Sequence, residues 1–246
     1  MRAALGEVRP RSLAPVVRAT AAVRADLVWP PRCAGCDLPG ALLCERCRAA
    51  LPLIAPEDAC ERCGAPDGSH GCAECGRTSF AFGAARCVGV LEWPLSRMVT
   101  LHKDAGELRL TVLLAALAAH TAGEWAAWAQ AVAFVPAAPG ALLRRGFDHG
   151  ALLAAAFAAA AGVPAIDVLE ARPRRDQRGL TREARRENAR ASLRPLVLAS
   201  APPRVLLLDD VFTTGATLDA ATPALLEAGA SEVRVVAIAR ACGGRL

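Results

Sequence analysis

Eight cysteines fall between residues 33 and 75 as four C-x2-C pairs: Cys33 and Cys36, Cys44 and Cys47, Cys60 and Cys63, Cys72 and Cys75. A C-x2-C turn lets two thiolates face one ion while backbone N–H groups point at the sulfurs, and two such turns complete a tetrahedral structural zinc site. The spacing predicts two Zn2+ sites of four ligands each, with the pairing of the knuckles left open. With every position filled by thiolate, such zinc has no place for a water, so its expected role is folding. The loops between knuckles hold seven and eight residues, too few to build a core without metal. Four disulfides are the rival reading, disfavoured because no secretory leader is evident. Iron–sulfur ligation is another, disfavoured by two closed, evenly spaced quartets. His70, in the second loop, reads as a solvated loop histidine. Cys87, inside an apolar run, reads as a small buried hydrophobe, and Cys242 as incidental.

A second constellation follows the apolar run 205–208: Asp209, Asp210, Val211, Phe212, Thr213, Thr214, Gly215, Ala216, Thr217. It places two carboxylates at a strand tip, then a small-residue turn with three hydroxyls, then a helix start. Consecutive N–H groups at such a turn cradle an anion, aided by the helix dipole, and small side chains let a phosphate approach the backbone. Adjacent carboxylates would repel phosphate but accept from a sugar diol. The combination suits a ribose carrying a 5′-phosphate. The plainer reading is that a threonine only caps the helix and the acids are ordinary polar residues.

The elements that must position these residues read as alternating strands and helices. Strands are predicted at 84–91, 131–135, 166–169, 205–208 and 232–239, with helices at 94–106, 107–128, 142–161 and 215–228. Continuous apolar strands separated by helices predict an α/β fold with a mostly parallel sheet covered on both faces. Ligands of such sheets bind beyond the strand C-termini. The expected organisation is an N-terminal helical segment over 1–29, a small cysteine-rich double zinc ribbon over 30–80, and the α/β domain over 81–246.

Composition narrows the function classes. The 246 residues are 54% apolar, but 56 of them are alanine, so helices must pack closely. There is no tyrosine and aromatics are 4%, which argues against a surface of stacked single-stranded bases. No run reaches the roughly 20 apolar residues of a membrane helix. The N-terminal stretch is broken by arginines, so a cytoplasmic protein is expected. The net charge of +5 rests on 28 arginines and one lysine, Lys103. Two Zn(Cys)4 centres, each of net charge about −2, would bring the chain to about +1. The surplus is local: residues 170–194 hold nine arginines against four acids.

The string LLLDDVFTTGAT resembles the phosphoribosyl-pyrophosphate motif of type I phosphoribosyltransferases, with Phe212 where an aliphatic residue is usual. More broadly, DLVWPPRCAGC leading into two cysteine quartets, then FVPAAPGALLRRGFDH, then a Q-x2-L-x4-R-x2-N pattern and the DDVFTTGAT loop, is similar in order and spacing to the ComF family. That resemblance covers about 27–240. It implies a double zinc ribbon joined to a type I phosphoribosyltransferase-like domain, phosphoribosyl pyrophosphate with Mg2+ as ligand, and a link to DNA uptake in natural competence.

Carried over, Asp209 and Asp210 would hold the ribose hydroxyls, and Thr213, Thr214, Gly215, Ala216 and Thr217 the 5′-phosphate. Pro136 to Gly140 takes the place of the pyrophosphate loop. Arg144 and Arg145 follow it; arginine forks suit pyrophosphate oxygens, yet arginine is also this chain's default cation, and both readings stay open. Asp148 stands where the family commonly has asparagine, so it either faces away or alters that subsite. Lys103 matches the family's lysine-containing stretch before a glycine; a lysine retained among arginines points to a need for a compact ammonium. In the arginine-dense interval, Gln177, Arg185 and Asn188 match the family pattern. It reads as a hood over the site, as a solvated salt-bridged helix, or as a phosphate-neutralising nucleic-acid contact.

Two function hypotheses follow. An enzyme would displace pyrophosphate from ribose C1 through an oxocarbenium-like state, to an acceptor the sequence does not identify, with Asp210 as a candidate base. A non-catalytic protein would sense phosphoribosyl pyrophosphate or a nucleotide while binding single-stranded DNA or a helicase-like partner of the DNA-uptake machinery.

Overall fold

The computed structural model describes residues 30–66, 72–76, 78–172 and 192–243. The segments 1–29 and 173–191 lie outside these, and with them the N-terminal helical segment, Gln177, Arg185, Asn188 and most of the arginine-dense interval; His70 lies outside as well.

Four strands form the main sheet: β1 (Ala84–Val90), β2 (Ala131–Phe134), β5 (Arg204–Phe212) and β6 (Glu232–Arg240), in the order β1-β6-β5-β2. All its pairings are parallel. β5 and β6 read as near-continuous apolar runs because both faces are covered. On one face α2 (Leu95–Lys103), α3 (Leu110–Ala122) and α6 (His149–Ala161) pack through Leu95, Met98, Leu114, Leu153 and Phe157. Alanines 115, 118, 122 and 154 join that core, letting the helix backbones approach. On the other face α7 (Ala216–Glu227) contributes Leu218, Ala221, Ala224 and Leu225. A short α1 (Glu45–Ala49) belongs to the cysteine-rich region. No helix among the described residues is long and apolar enough to cross a membrane.

Several expected elements differ in extent. The helix expected over 107–128 is α3 followed by α4 (Glu124–Trp128), interrupted at Gly123 with φ +53°. The helix expected over 142–161 is α5 (Pro139–Arg145) followed by α6, separated by Gly146 with φ +76° and by the capping residue Asp148. The strand expected at 166–169 is not a member of the parallel sheet. Only Ala165 bridges Val132, and β3 (Leu169–Ala171) pairs antiparallel with β4 (Leu193–Pro195). β5 runs four residues past its expected end, because Asp209, Val211 and Phe212 keep their register with β6.

The cysteine-rich region is docked on this sheet rather than tethered to it. The linker between quartets and the first knuckle of the second quartet line the outer edge of β1: the Ile54 N–H donates to Val88 O (3.0 Å), the Val90 N–H to Pro52 O (2.8 Å) and the Ala85 N–H to Glu61 O (2.8 Å). An edge strand otherwise left open is thereby covered. Gly89 permits the approach, since a Cβ there would lie 2.5 Å from Pro52 O. Arg97 of α2 donates to the carbonyls of Cys33 (3.1 Å) and Ala34 (2.9 Å), fastening the first quartet. The second quartet shares the other core: Cys60, Cys63 and Cys75 are buried with Phe82, Cys87 and Phe212.

Candidate functional site

The structure decides the pairing of the knuckles, which are gathered consecutively. Cys33, Cys36, Cys44 and Cys47 form one group and Cys60, Cys63, Cys72 and Cys75 the other, with all sulfurs of a group within 4.8 Å of one another. All ten cysteines are free thiols. Four sulfurs at about 2.3 Å from a tetrahedral Zn2+ stand about 3.8 Å apart. The sulfurs of Cys36 and Cys44 lie at 3.7 Å, Cys60 and Cys75 at 3.8 Å, and Cys63 and Cys72 at 3.5 Å. The donor sets therefore fit zinc. Cys87, expected as a buried hydrophobe, is buried beneath the second quartet.

The acids and the small-residue turn lie at the C-terminal end of β5, a central strand. Asp209 and Asp210 sit inside the strand rather than at its tip; the strand ends at Phe212. Successive strand residues face opposite ways, so the two carboxylates meet different surroundings. Asp210 Oδ2 lies 2.6 Å from Lys103 Nζ of α2 and 3.1 Å from His149 Nε2 of α6. This buried oxygen is thus flanked by two nitrogen groups from different helices. Asp209 Oδ1 accepts from the Asp210 N–H at 2.9 Å.

The electrostatics of the pair are divergent. Burial opposes ionisation of Asp210, but His149 and the Lys103 ammonium outweigh it and hold this carboxyl well below the usual carboxylate range. Burial, together with the neighbouring charge of Asp210, pushes Asp209 upward. Beneath them His102 is buried against Thr111 (Nε2 to Oγ1, 2.9 Å), and burial lowers its pKa to about 4.

The turn after β5 opens the twelve-residue α7. Thr213 and Thr214 are exposed, and Gly215 takes φ +77°. That conformation, and the lack of room, require glycine: a Cβ would lie 2.6 Å from the Phe212 ring and 2.9 Å from the Phe80 ring. Ala216 N–H donates to Thr214 Oγ1 at 3.4 Å. Phe212 points into the core, as its place in the string suggested.

The segment after β2 faces the same end of the sheet. Arg145 Nη2 donates to Asp104 (2.7 Å), and its Nη1 lies 3.5 Å from His149 Nδ1. Arg144 is exposed on α5, its guanidinium turned over Gly140. Asp148 is engaged by backbone groups: Oδ1 accepts from the N–H groups of Gly150 (2.9 Å) and Ala151 (3.2 Å), and Oδ2 from that of Ala137 (2.8 Å). It caps α6 and ties the 136–140 segment to that helix.

Lys103, Arg145, Asp210 and the 213–217 turn are thus assembled from distant stretches. The sequence reading missed His149, which links Arg145 to Asp210. The available signal was its i+4 spacing from Arg145 across a helix start. Arg240, buried against the turn, was missed too; an arginine closing an apolar strand was the signal.

Residues 24–79 match a family model described as a double zinc ribbon domain, and residues 141–245 one described as a phosphoribosyl transferase domain. The chain is similar to competence protein ComFC of Streptococcus pneumoniae, 32% identical over 109 residues, which is 43% of this chain and 46% of that protein. It is also similar to competence protein F of Haemophilus influenzae, 33% identical over 102 residues, 40% of this chain and 44% of that protein. The match spans less than half the length of these curated relatives. A solved orotate phosphoribosyltransferase from Aeropyrum pernix aligns over 59% of this chain and 64% of its own, at 20% identity and a TM-score of 0.33, too low to argue from.

Proposed function

For a chain that is ComF-like, a double zinc ribbon joined to a phosphoribosyltransferase domain, we propose binding of phosphoribosyl pyrophosphate and transfer of its phosphoribosyl group to an acceptor. The observation that carries this reading is the 213–217 turn: a small-residue loop at the C-terminal end of a central parallel strand, opening a helix, suited to a phosphate. Asp209 and Asp210 would accept from the ribose hydroxyls. Lys103 and Arg145 would face the pyrophosphate, with Arg144 at the rim.

In the reaction the bond from ribose C1 to the pyrophosphate oxygen breaks, a bond to the acceptor forms, and pyrophosphate leaves with the electron pair. Fixed cations at that oxygen stabilise the developing charge. Carboxylate oxygens are hard ligands of the kind Mg2+ takes. Asp210, held in its ionised form, would be a ligand of that ion, which when bound would neutralise the leaving group's charge.

A second reading has support in the relatives, whose names record competence rather than transfer: a phosphoribosyl pyrophosphate or nucleotide sensor that engages single-stranded DNA or the DNA-uptake machinery. Calorimetric titration with phosphoribosyl pyrophosphate and Mg2+, followed by pyrophosphate release across a panel of bases, separates the two. Binding with turnover supports the transferase and binding alone the sensor. Absence of binding, or binding that survives in both Asp209→Asn and Asp210→Asn, overturns the site.

A further inference from the structure

The second cysteine quartet continues into the floor of the 213–217 turn. Phe80 and Phe82, shortly after Cys75, stack with centroids 4.8 Å apart, and both meet Phe212 edge-on at 5.8 and 6.0 Å. The turn rests on these rings, since the Gly215 backbone leaves no room for a Cβ above Phe212 and Phe80. The Ala81 N–H donates to Asp219 Oδ1 (2.8 Å) in the first turn of α7. From the far side Arg240, 3% exposed, places its guanidinium 4.7 Å over the Phe212 ring. Its Nη1 donates to the carbonyls of Phe212 (3.1 Å), Thr213 (2.7 Å) and Ala241. Three residues on, the Gly243 N–H donates to Glu74 Oε1 (2.8 Å), between Cys72 and Cys75.

We propose that the Cys60, Cys63, Cys72, Cys75 ribbon is the seat that shapes the 213–217 turn, with Phe80 and Arg240 as positioning residues that transmit its metal-dependent fold. A backbone anion cradle works only if its N–H groups are already aimed. Within the turn Thr214 offers one long contact, 3.4 Å to the Ala216 N–H, whereas rings below and a guanidinium on two carbonyls hold it from outside. The first ribbon has a different attachment: it is fastened to α2 by Arg97 and contributes Ala34 to the opposite core. The description of the turn as phosphate-binding rests on the function proposed above; the mechanical coupling does not.

The two ribbons supply a matched experiment on the full zinc-loaded chain. Cys72→Ser and Cys36→Ser each replace a half-buried ligand of one quartet, and zinc content reports the loss of one ion. Hydrogen–deuterium exchange over 210–220, without ligand, is the main readout. The expected result is exchange faster by about tenfold in Cys72→Ser and unchanged in Cys36→Ser. Equal exchange in the two variants overturns the proposal. Should Cys72→Ser fail to fold, Arg240→Gln and Arg240→Lys decide: the first should accelerate exchange over 210–220 by about tenfold with the remaining sheet protected, and the second, which keeps a cationic donor, should restore most of it. Normal exchange in Arg240→Gln, or no restoration in Arg240→Lys, overturns it. Titration with phosphoribosyl pyrophosphate is run in parallel. If the wild-type chain binds none, the ligand reading falls while the exchange comparison still decides the coupling.

Discussion

Lys103, the one lysine of the chain, closes to 2.6 Å on Asp210. An ammonium from the end of α2 thereby faces a carboxylate inside β5, and His149 approaches the same oxygen from α6. Three elements far apart in sequence meet at one atom, Asp210 Oδ2.

Removing one side of that contact should be harmful, because the other charge stays behind in a poorly solvated place. Asp210→Asn should lower stability by about 1–3 kcal/mol and abolish phosphoribosyl pyrophosphate binding. Urea unfolding and calorimetry check the two effects. Lys103→Arg, whose planar fork cannot replace a compact ammonium, should weaken binding about tenfold; unchanged affinity would remove Lys103 from the site.

Asp209 should impose the opposite pH dependence to Asp210. Its folded pKa is raised, to about 8, so the unfolded chain gives up this proton first. Its contribution is therefore fully present below the ordinary aspartate value of about 4 and is lost as pH rises through about 8. Asp210, held low, contributes fully above the ordinary value and loses its contribution only as the pH falls through its depressed folded value. Wild-type stability measured at pH 5 and pH 9 should decline more than that of Asp209→Asn. Parallel declines in the two proteins would refute the assignment.

Gly215→Ala combines positive φ with a Cβ 2.6 Å from the Phe212 ring. We expect a loss of about 1–3 kcal/mol and a larger proportional loss of ligand affinity, because the displaced backbone is the proposed phosphate cradle. Thermal melts and titrations on one preparation check both.

Asp148 should behave as a cap rather than a ligand group. Asp148→Ala should cost about 1–2 kcal/mol, with Asp148→Asn retaining most of the stability because its carbonyl oxygen still accepts at the helix start. Urea midpoints test the order. A variant pair that differs in ligand affinity but not in stability would reassign the residue to the pyrophosphate subsite.

Mercurial displacement should release two zinc ions per chain, matching the two quartets, as read with a colorimetric chelator. Burial holds the Cys87 thiol at about 12. Alkylation at pH 8 should therefore spare Cys87 until the second ribbon is stripped, as peptide mass mapping would report.

The cysteine pairs were legible in the sequence because knuckle geometry is local: two residues between thiolates put both on one ion, whereas which two knuckles share it was decided by the fold. The DDVFTTGAT turn was legible for a similar reason, since strand, small residues and helix start are contiguous. Apolar runs announced the parallel sheet. Element ends were less legible where capping decides them: the break between α5 and α6 depends on Gly146 and on Asp148 finding three N–H groups. The extension of β5 through Asp209 and Asp210 runs against the polarity of those residues. It holds because β6 continues the ladder and Lys103 and His149 meet the buried charge.

The sequence by itself determined the chemistry available: eight thiolates in four knuckles, a small-residue turn, two acids, one lysine. Tertiary structure decided which groups meet. His149 stands between Arg145 and Asp210, Asp148 is taken up by backbone N–H groups, and Phe80 and Arg240 brace a turn more than a hundred residues from one of them, because packing of helices and ribbon on a common sheet sets distances that no local spacing encodes.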